Sequence, residues 1–144
     1  MASGTLPDQL VTVSAPAPVT LTQGGEGQVR ISVVVADGFH VQANPASADF
    51  LIPLRLQLRA KRGVRATIPV YPPGKPYRLE GMPSELMTYQ GTFEIVVHLR
   101  AEASAQPGNR TLRGALRYQA CDDRSCRSPA SVSVSVPVQV VDNG

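Results

Sequence analysis

The residues best suited to chemistry in this sequence are its two cysteines, Cys121 and Cys126, which have four residues between them. A cysteine thiolate can attack a disulfide, bind a metal ion or form one half of a disulfide itself. The pair lies in a short loop between two strand-like segments, where two Cβ atoms can approach to the roughly 3.5–4.5 Å that a disulfide requires. A disulfide between them is therefore geometrically plausible.

The loop closed by this pair is short, which bears on what a disulfide would do there. Closing so short a loop contributes about 2 kcal/mol, against about 4.7 kcal/mol for a loop of about 100 residues. Structural disulfides of β-sandwiches usually join the two sheets. Two functions therefore remain open: a redox-active pair that exchanges disulfides, or an immunoglobulin-like protein-binding module whose hairpin disulfide is purely structural. A metal site is the third alternative, and it would require His40 and His98 to converge with the cysteines on one tetrahedral ion.

Charged residues flank the cysteines with opposing effects. Arg124 and Arg127 favour the thiolate and lower a thiol pKa, whereas Asp122 and Asp123 raise it. These effects oppose each other at similar sequence distance, so no redox potential follows from the sequence.

Composition excludes several other functions. The net charge is only +3 and aromatic residues make up 5% of the chain, so nucleic-acid binding by a basic surface with stacking aromatics is not expected. The densest basic run is interpreted as a solvated turn; it comprises Arg55, Arg59, Lys61, Arg62 and Arg65. No run approaches the roughly 20 apolar residues that span a bilayer. No bound cofactor is expected.

The hydrophobic pattern predicts an all-β, immunoglobulin-like antiparallel β-sandwich of seven or eight strands. Val132, Val134, Val136, Val138 and Val140 alternate with small or polar residues, as in a strand with one buried face. Val33–Val35 is expected to be buried on both faces. The predicted strands are 9–14, 28–36, 53–59, 64–71, 92–99, 110–119 and 130–141, with 39–50 and 71–90 irregular apart from turns.

The length predicts a single domain over residues 1–144. Residues 1–8 are expected to be disordered or derived from cloning. They lack the basic and apolar regions of a signal peptide, so a protein working outside the cytoplasm would have lost that peptide.

Several segments resemble a known family. Tyr118-Gln119-Ala120-Cys121-Asp122-Asp123, followed by Cys126 and Pro129, is similar to the cysteine signature of the N-terminal periplasmic domain of the thiol:disulfide interchange protein DsbD, also called the disulfide bond corrector domain family. Asp37–Gln42 resembles the family's Gly-aromatic segment, and Tyr89–Ile95 resembles the segment before a central strand.

The resemblance implies an immunoglobulin-like sandwich in the bacterial periplasm, acting within a thiol:disulfide interchange reductase. Its cysteine pair would receive electrons from a thioredoxin-like domain through a transmembrane partner, which could be fused to it. It would pass them to periplasmic disulfide isomerases and the thioredoxins of cytochrome c maturation. Cys121 would be the attacking thiol and Cys126 the resolving thiol.

The resemblance also implies neighbours for the redox site, although the sequence departs from the family at several of them. The family's cysteines are spaced by one residue more, and its Gly-aromatic segment carries tyrosines where this chain has His40 and Gln42. Tyr89 or Met87 would take the place of a phenylalanine that caps the disulfide, and His40 could stabilise a thiolate or shuttle a proton. The complete set of expected neighbours is His40, Gln42, Tyr89, Tyr118, Asp122, Arg124 and Pro129.

Overall fold

The computed structural model describes residues 10–78, 80–81 and 84–143, and they form an all-β fold of twelve strands with no helix. Within these residues there is accordingly no helix long and apolar enough to cross a membrane. The strands are β1 (Val11–Val13), β2 (Val19–Thr22), β3 (Glu26–Val35), β4 (His40–Gln42), β5 (Arg55–Leu58), β6 (Val64–Ala66), β7 (Lys75–Tyr77), β8 (Leu86–Tyr89), β9 (Thr92–Ala101), β10 (Gly108–Tyr118), β11 (Ala120–Cys121) and β12 (Ala130–Val141). The expectation for residues 1–8 lies outside the described part of the chain.

The strands form two main sheets and a smaller third one. The first has the order β1-β3-β9-β6, the second β2-β12-β10-β5 and the third β11-β4-β8-β7. The pairings are antiparallel, as predicted, except that β2 runs parallel to β12. The third sheet lies at one end of the sandwich, because β11 directly continues β10 and carries Cys121.

The alternating apolar residues of the long strands meet between the sheets. Ile31 and Val33 of β3 and Leu112 and Leu116 of β10 are all completely buried. The valines of β12 behave as the period-two pattern predicts: Val134, Val136, Val138 and Val140 are buried and Val132 packs against their cluster. Burial of this continuous apolar surface is the main stabilising contribution to the fold.

Two segments that the sequence places in irregular regions are strands. The stretch 39–50 contains β4, and the stretch 71–90 contains β7 and β8. β2 also lies outside the predicted strands, because Pro16 and Pro18 closely precede it and interrupt the alternating pattern. The prediction of Val33–Val35 buried on both faces is wrong, since Val34 is 39% exposed and only Val33 and Val35 face the core.

The segment 64–71 turns back at Lys61-Arg62-Gly63 as predicted. Arg62 and Gly63 both have positive φ there, at 44° and 84°. The returning strand β6 is shorter than predicted and pairs with β9 in the other main sheet, while β5 pairs with β10. The turn therefore moves the chain from one sheet to the other, and the basic residues around it are exposed, as expected of a solvated turn.

Candidate redox site

The cysteines form a disulfide in a tightly closed loop. Sγ of Cys121 lies 2.02 Å from Sγ of Cys126, and the two Cα atoms are 3.9 Å apart. The amide of Asp122 donates to the carbonyl of Ser125 over 2.9 Å, and the amide of Arg127 donates to the carbonyl of Ala120 over 2.8 Å. These bonds continue the hairpin between β11 and the chain leading to β12, so the sheet itself brings the sulfurs together.

Asp122 holds the tip of the loop. Its Oδ1 accepts hydrogen bonds from the amides of Arg124 and Ser125, both at 2.8 Å. These bonds hold the pKa of the Asp122 carboxyl below its ordinary value, and the nearby Arg127 and Arg124 charges act in the same direction. An aspartate that accepts bonds from backbone amides a few residues on is a common way to fix a tight turn.

We expect the order of this loop to depend on pH through Asp122. Because the folded pKa is depressed, the stabilisation is present above the carboxyl's unfolded pKa and is lost as pH falls through the folded value. Amide hydrogen exchange of Arg124 and Ser125, measured between neutral and acidic pH, should show their protection falling in acid. Asp122→Asn keeps an acceptor oxygen and should remove this pH dependence; a variant with the wild-type profile would contradict the role.

Strand register places several side chains on one face of the third sheet. Cys121 pairs with His40, Gln42 pairs with Thr88, and Tyr77 pairs with Leu86. Since side chains alternate along a strand and paired residues share a face, these six lie on the same face. The opposite face points into the main core, and it carries Ala120, Val41 and Tyr89.

The two sulfur-bearing residues differ in burial. Cys121 is only 1% exposed, whereas Cys126 is partly exposed. Cys126 packs against a second apolar cluster built on Leu51 and Leu86, which Tyr77 also contacts. Of the two cysteines, Cys126 is thus the one that solvent and an incoming molecule can reach.

Gln42 contacts the buried cysteine directly. Its Nε2 donates a hydrogen bond to Sγ of Cys121 over 3.3 Å, and the Gln42 side chain is completely buried. Its Oε1 accepts no hydrogen bond from any described residue. The Thr88 side chain beside it is also buried, but it donates to the carbonyl of Lys75.

His40 stacks on Tyr77, with ring centroids 3.7 Å apart and an angle of 24° between the ring planes. Burial lowers the pKa of His40 below its ordinary value, against the opposing effect of a hydrogen bond with Gln90. The imidazole is therefore neutral at pH 7 and offers no full positive charge to a thiolate. Burial, with the Asp123 and Asp122 charges, raises the pKa of the Tyr77 hydroxyl, which stays protonated.

The expected neighbours divide into three groups. His40, Gln42 and Asp122 lie around the disulfide as described, and Arg124 is exposed at the tip of its loop. Tyr89 and Tyr118 belong to the main core, where the Tyr89 hydroxyl donates to the carbonyl of Pro72 and accepts from the amide of Asn44. Pro129 is exposed just before β12.

Sequence reasoning missed Tyr77 and the two leucines that pack beside Cys126. Tyr77 ends β7, which follows a proline-rich run and was interpreted as irregular. It is Tyr77, rather than Tyr89 or Met87, that joins the apolar cluster containing Cys126. The signal that the sequence offers for Tyr77 is an aromatic residue at the end of a short extended segment. Many loops have this feature, so it does not single out Tyr77.

We expect Tyr77 to limit access to Cys126. Tyr77→Ala should accelerate reduction of the disulfide by a small thiol severalfold, because it removes the aromatic ring from the cluster around that cysteine. Tyr77→Phe keeps the ring and should react at the wild-type rate. Both rates are measured by quenching samples of the reaction with dithiothreitol at successive times and alkylating the free thiols. Equal rates for the alanine variant and the wild type would contradict this role of Tyr77.

A metal site is not supported in the described part of the chain. It contains no group of three or more His, Cys, Asp or Glu side chains placed to hold an ion. His98 is exposed on β9, opposite Gln28 in the first sheet, whereas the cysteines adjoin the third.

The comparison with known protein families agrees with the geometry of the cysteine site. A family model described as "Thiol:disulfide interchange protein DsbD, N-terminal" matches residues 7–137. No curated protein sequence shows a significant match.

Two solved structures share the fold at low sequence identity. The N-terminal periplasmic domain of ScsB from Proteus mirabilis is 16% identical with a TM-score of 0.63, over 92% of this chain and 48% of that one. The present chain thus spans about half the length of that domain. The reduced DsbD N-terminal domain of Neisseria meningitidis is 17% identical with a TM-score of 0.54, over 93% of this chain and 90% of that one.

Proposed function

This chain belongs to the family of the N-terminal domain of the thiol:disulfide interchange protein DsbD, and from that premise we propose that it relays electrons between thioredoxin-like partners in the bacterial periplasm. Family membership and the Cys121–Cys126 disulfide identify it as a thiol–disulfide exchange domain. The proposed relay receives electrons from a thioredoxin-like domain linked to a transmembrane partner and delivers them to oxidised thioredoxin-fold proteins.

The observation that carries the proposal is a disulfide at the rim of the sandwich with one accessible cysteine. Exchange proceeds by attack of a thiolate on one sulfur of a disulfide, so it needs one sulfur that a partner can approach. Cys126 meets this need, whereas Cys121 is 1% exposed. A purely structural disulfide does not require one cysteine to be more exposed than the other.

The accessibility of the two cysteines favours the opposite assignment of the attacking and resolving thiols from the one that the resemblance implies. In the reduced domain, the Cys126 thiolate attacks the partner's disulfide and forms a mixed disulfide, while the partner's other sulfur leaves as a thiolate. Cys121 then attacks Sγ of Cys126, which releases the partner as a dithiol and restores the Cys121–Cys126 disulfide. The domain loses two electrons and the partner gains them, with protons supplied by solvent. Cys126 is thus the proposed attacking residue and Cys121 the resolving one.

A redox titration of the cysteine pair tests this function. In glutathione buffers of graded composition, the pair should titrate at a potential above about −300 mV, in the range of disulfides that exchange with thioredoxin-fold proteins. Electrons should also pass from a reduced thioredoxin to the oxidised domain, as counted by alkylation of new thiols. A potential well below about −300 mV, with no transfer from thioredoxin, would identify the disulfide as an inert structural link.

A further inference from the structure

Gln42 makes a contact that the exchange chemistry described so far does not use. Its side chain is completely buried, and its Nε2 lies 3.3 Å from Sγ of Cys121. A disulfide sulfur carries no proton and can only accept, so the amide must present its N–H group to the sulfur. In this orientation the buried Oε1 accepts no hydrogen bond from any described residue, which is energetically unfavourable.

We infer that Gln42 stabilises the Cys121 thiolate, and so favours Cys121 as the leaving sulfur when the accessible Cys126 is attacked. The inference rests on the exchange function proposed above and adds a residue-specific control of it. A hydrogen bond to a charged acceptor is roughly twice as strong as one to a neutral acceptor. The Gln42 bond therefore strengthens when the disulfide opens and negative charge appears on Cys121.

The step at which Gln42 acts is the reduction of the domain. A donor thiolate attacks Sγ of Cys126, the bond between the two cysteine sulfurs breaks, and Cys121 leaves with the electron pair as a thiolate facing the Gln42 N–H group. The donor's second thiolate then attacks the donor's first sulfur and releases the Cys126 thiolate. A leaving thiol of lower pKa leaves faster, so a donor at Cys121 accelerates attack at Cys126.

Burial makes the contribution of Gln42 larger. A thiolate at a site as buried as Cys121 loses hydration, which by itself raises the thiol pKa. In the same low-dielectric surroundings, a hydrogen bond to the charge is stronger than it would be in water. Gln42 lies on β4 two residues after His40, which pairs directly with Cys121, and its hydrogen bond to Sγ is already formed in the disulfide state.

Other titratable or charged groups surround this face and must be separated from the effect of Gln42. They are His40 on β4, Lys75 and Tyr77 on β7, Glu80, whose amide donates to the carbonyl of Asp123, and Asp122, Asp123, Arg124 and Arg127 in and beside the cysteine loop. His40 is neutral at pH 7 and Tyr77 is protonated, for the reasons given above. A substitution of Gln42 alone leaves all of these groups in place.

Gln42→Met tests the inference, because methionine has a similar volume and no donor. In a Cys126→Ser background, ultraviolet absorbance of the thiolate reports the pKa of Cys121 alone. We expect Gln42→Met to raise that pKa by about one unit or more, which is a tenfold or larger loss of thiolate at neutral pH. With both cysteines present, and at a pH above the Cys121 pKa of both proteins, the equilibrium constant for reduction by glutathione should fall by the factor that corresponds to the pKa shift, and each tenfold change is about 30 mV. This difference should disappear in acid, where the reduced form of both proteins is the thiol.

Thr88→Val is the matched control, since Thr88 is a buried polar residue paired with Gln42 whose hydrogen bond goes to Lys75. It should leave the Cys121 pKa and the glutathione equilibrium unchanged. If Gln42→Met fails to fold, Gln42→Leu also removes the donor and should shift the pKa in the same direction. Wild-type values for Cys121 pKa and potential in a folded Gln42 variant would overturn the inference. Failure of the wild-type protein to exchange at all would instead overturn the proposed function.

Discussion

Cys126→Ser is expected to abolish exchange with a thioredoxin-fold partner, whereas Cys121→Ser is expected to accumulate a stable mixed disulfide through Cys126. The reason is that Cys126 is the accessible cysteine and Cys121 is 1% exposed. Without Cys121, no second thiol is present to resolve the complex, so the complex persists. Incubating each reduced variant with an oxidised thioredoxin, followed by non-reducing electrophoresis and mass spectrometry, measures both outcomes.

The same experiment distinguishes the two possible assignments of the cysteines. Trapping by the Cys126→Ser variant, with none by Cys121→Ser, would restore Cys121 as the attacking thiol. The double variant Cys121→Ser/Cys126→Ser is the control for folding. Its far-ultraviolet circular dichroism should match that of the wild type, because the main sheets do not depend on the loop disulfide.

Leu116→Ala is expected to lower the free energy of unfolding by about 2–5 kcal/mol, the range for a large-to-small change in a protein core. Leu116 is completely buried on β10, between Leu56 of β5 and Val132 of β12. Removing its side chain leaves a cavity where the second sheet faces the core. Urea denaturation followed by circular dichroism measures the change in free energy.

The stability loss of Leu116→Ala is compared with that of an exposed substitution and with that of the variant lacking the disulfide. Ser133→Ala, an exposed change on the neighbouring strand, should alter stability by no more than about 0.5 kcal/mol. Loss of the disulfide in the double cysteine variant should cost about 2 kcal/mol, because the loop it closes is short. A cost for the disulfide clearly above that of Leu116→Ala would indicate that the cystine mainly holds the fold together, which would contradict a primarily redox role.

The long strands could be predicted because each has one face in the core and one in solvent. β12 is the clearest case: the predicted bounds and the observed bounds are both 130–141. Alternation of valine with small or polar residues carries this information directly. The same pattern located β9 and β10 to within about two residues, which is the ordinary uncertainty of strand ends.

The third sheet could not be predicted by the same argument. In β8, Leu86 and Thr88 face the disulfide, while Tyr89 faces the main core, and all three are buried. Apart from the exposed Met87, this strand of four residues is covered on both faces, so it has no alternation of apolar and polar residues to detect. β4 and β7 are shorter still, and β7 contains a proline.

The sequence by itself determined the reacting atoms of this protein: two cysteines at the end of a hairpin, close enough to form a disulfide. Only the tertiary structure decided how the two sulfurs differ. Their burial depends on Leu51, Tyr77 and Leu86, which are distant in the sequence and meet Cys126 only when the third sheet forms. The donor to Cys121 likewise comes from another strand, because register places Gln42 on the face of the disulfide. Residue type and spacing define the chemistry that is available, and long-range packing defines the sulfur on which it begins.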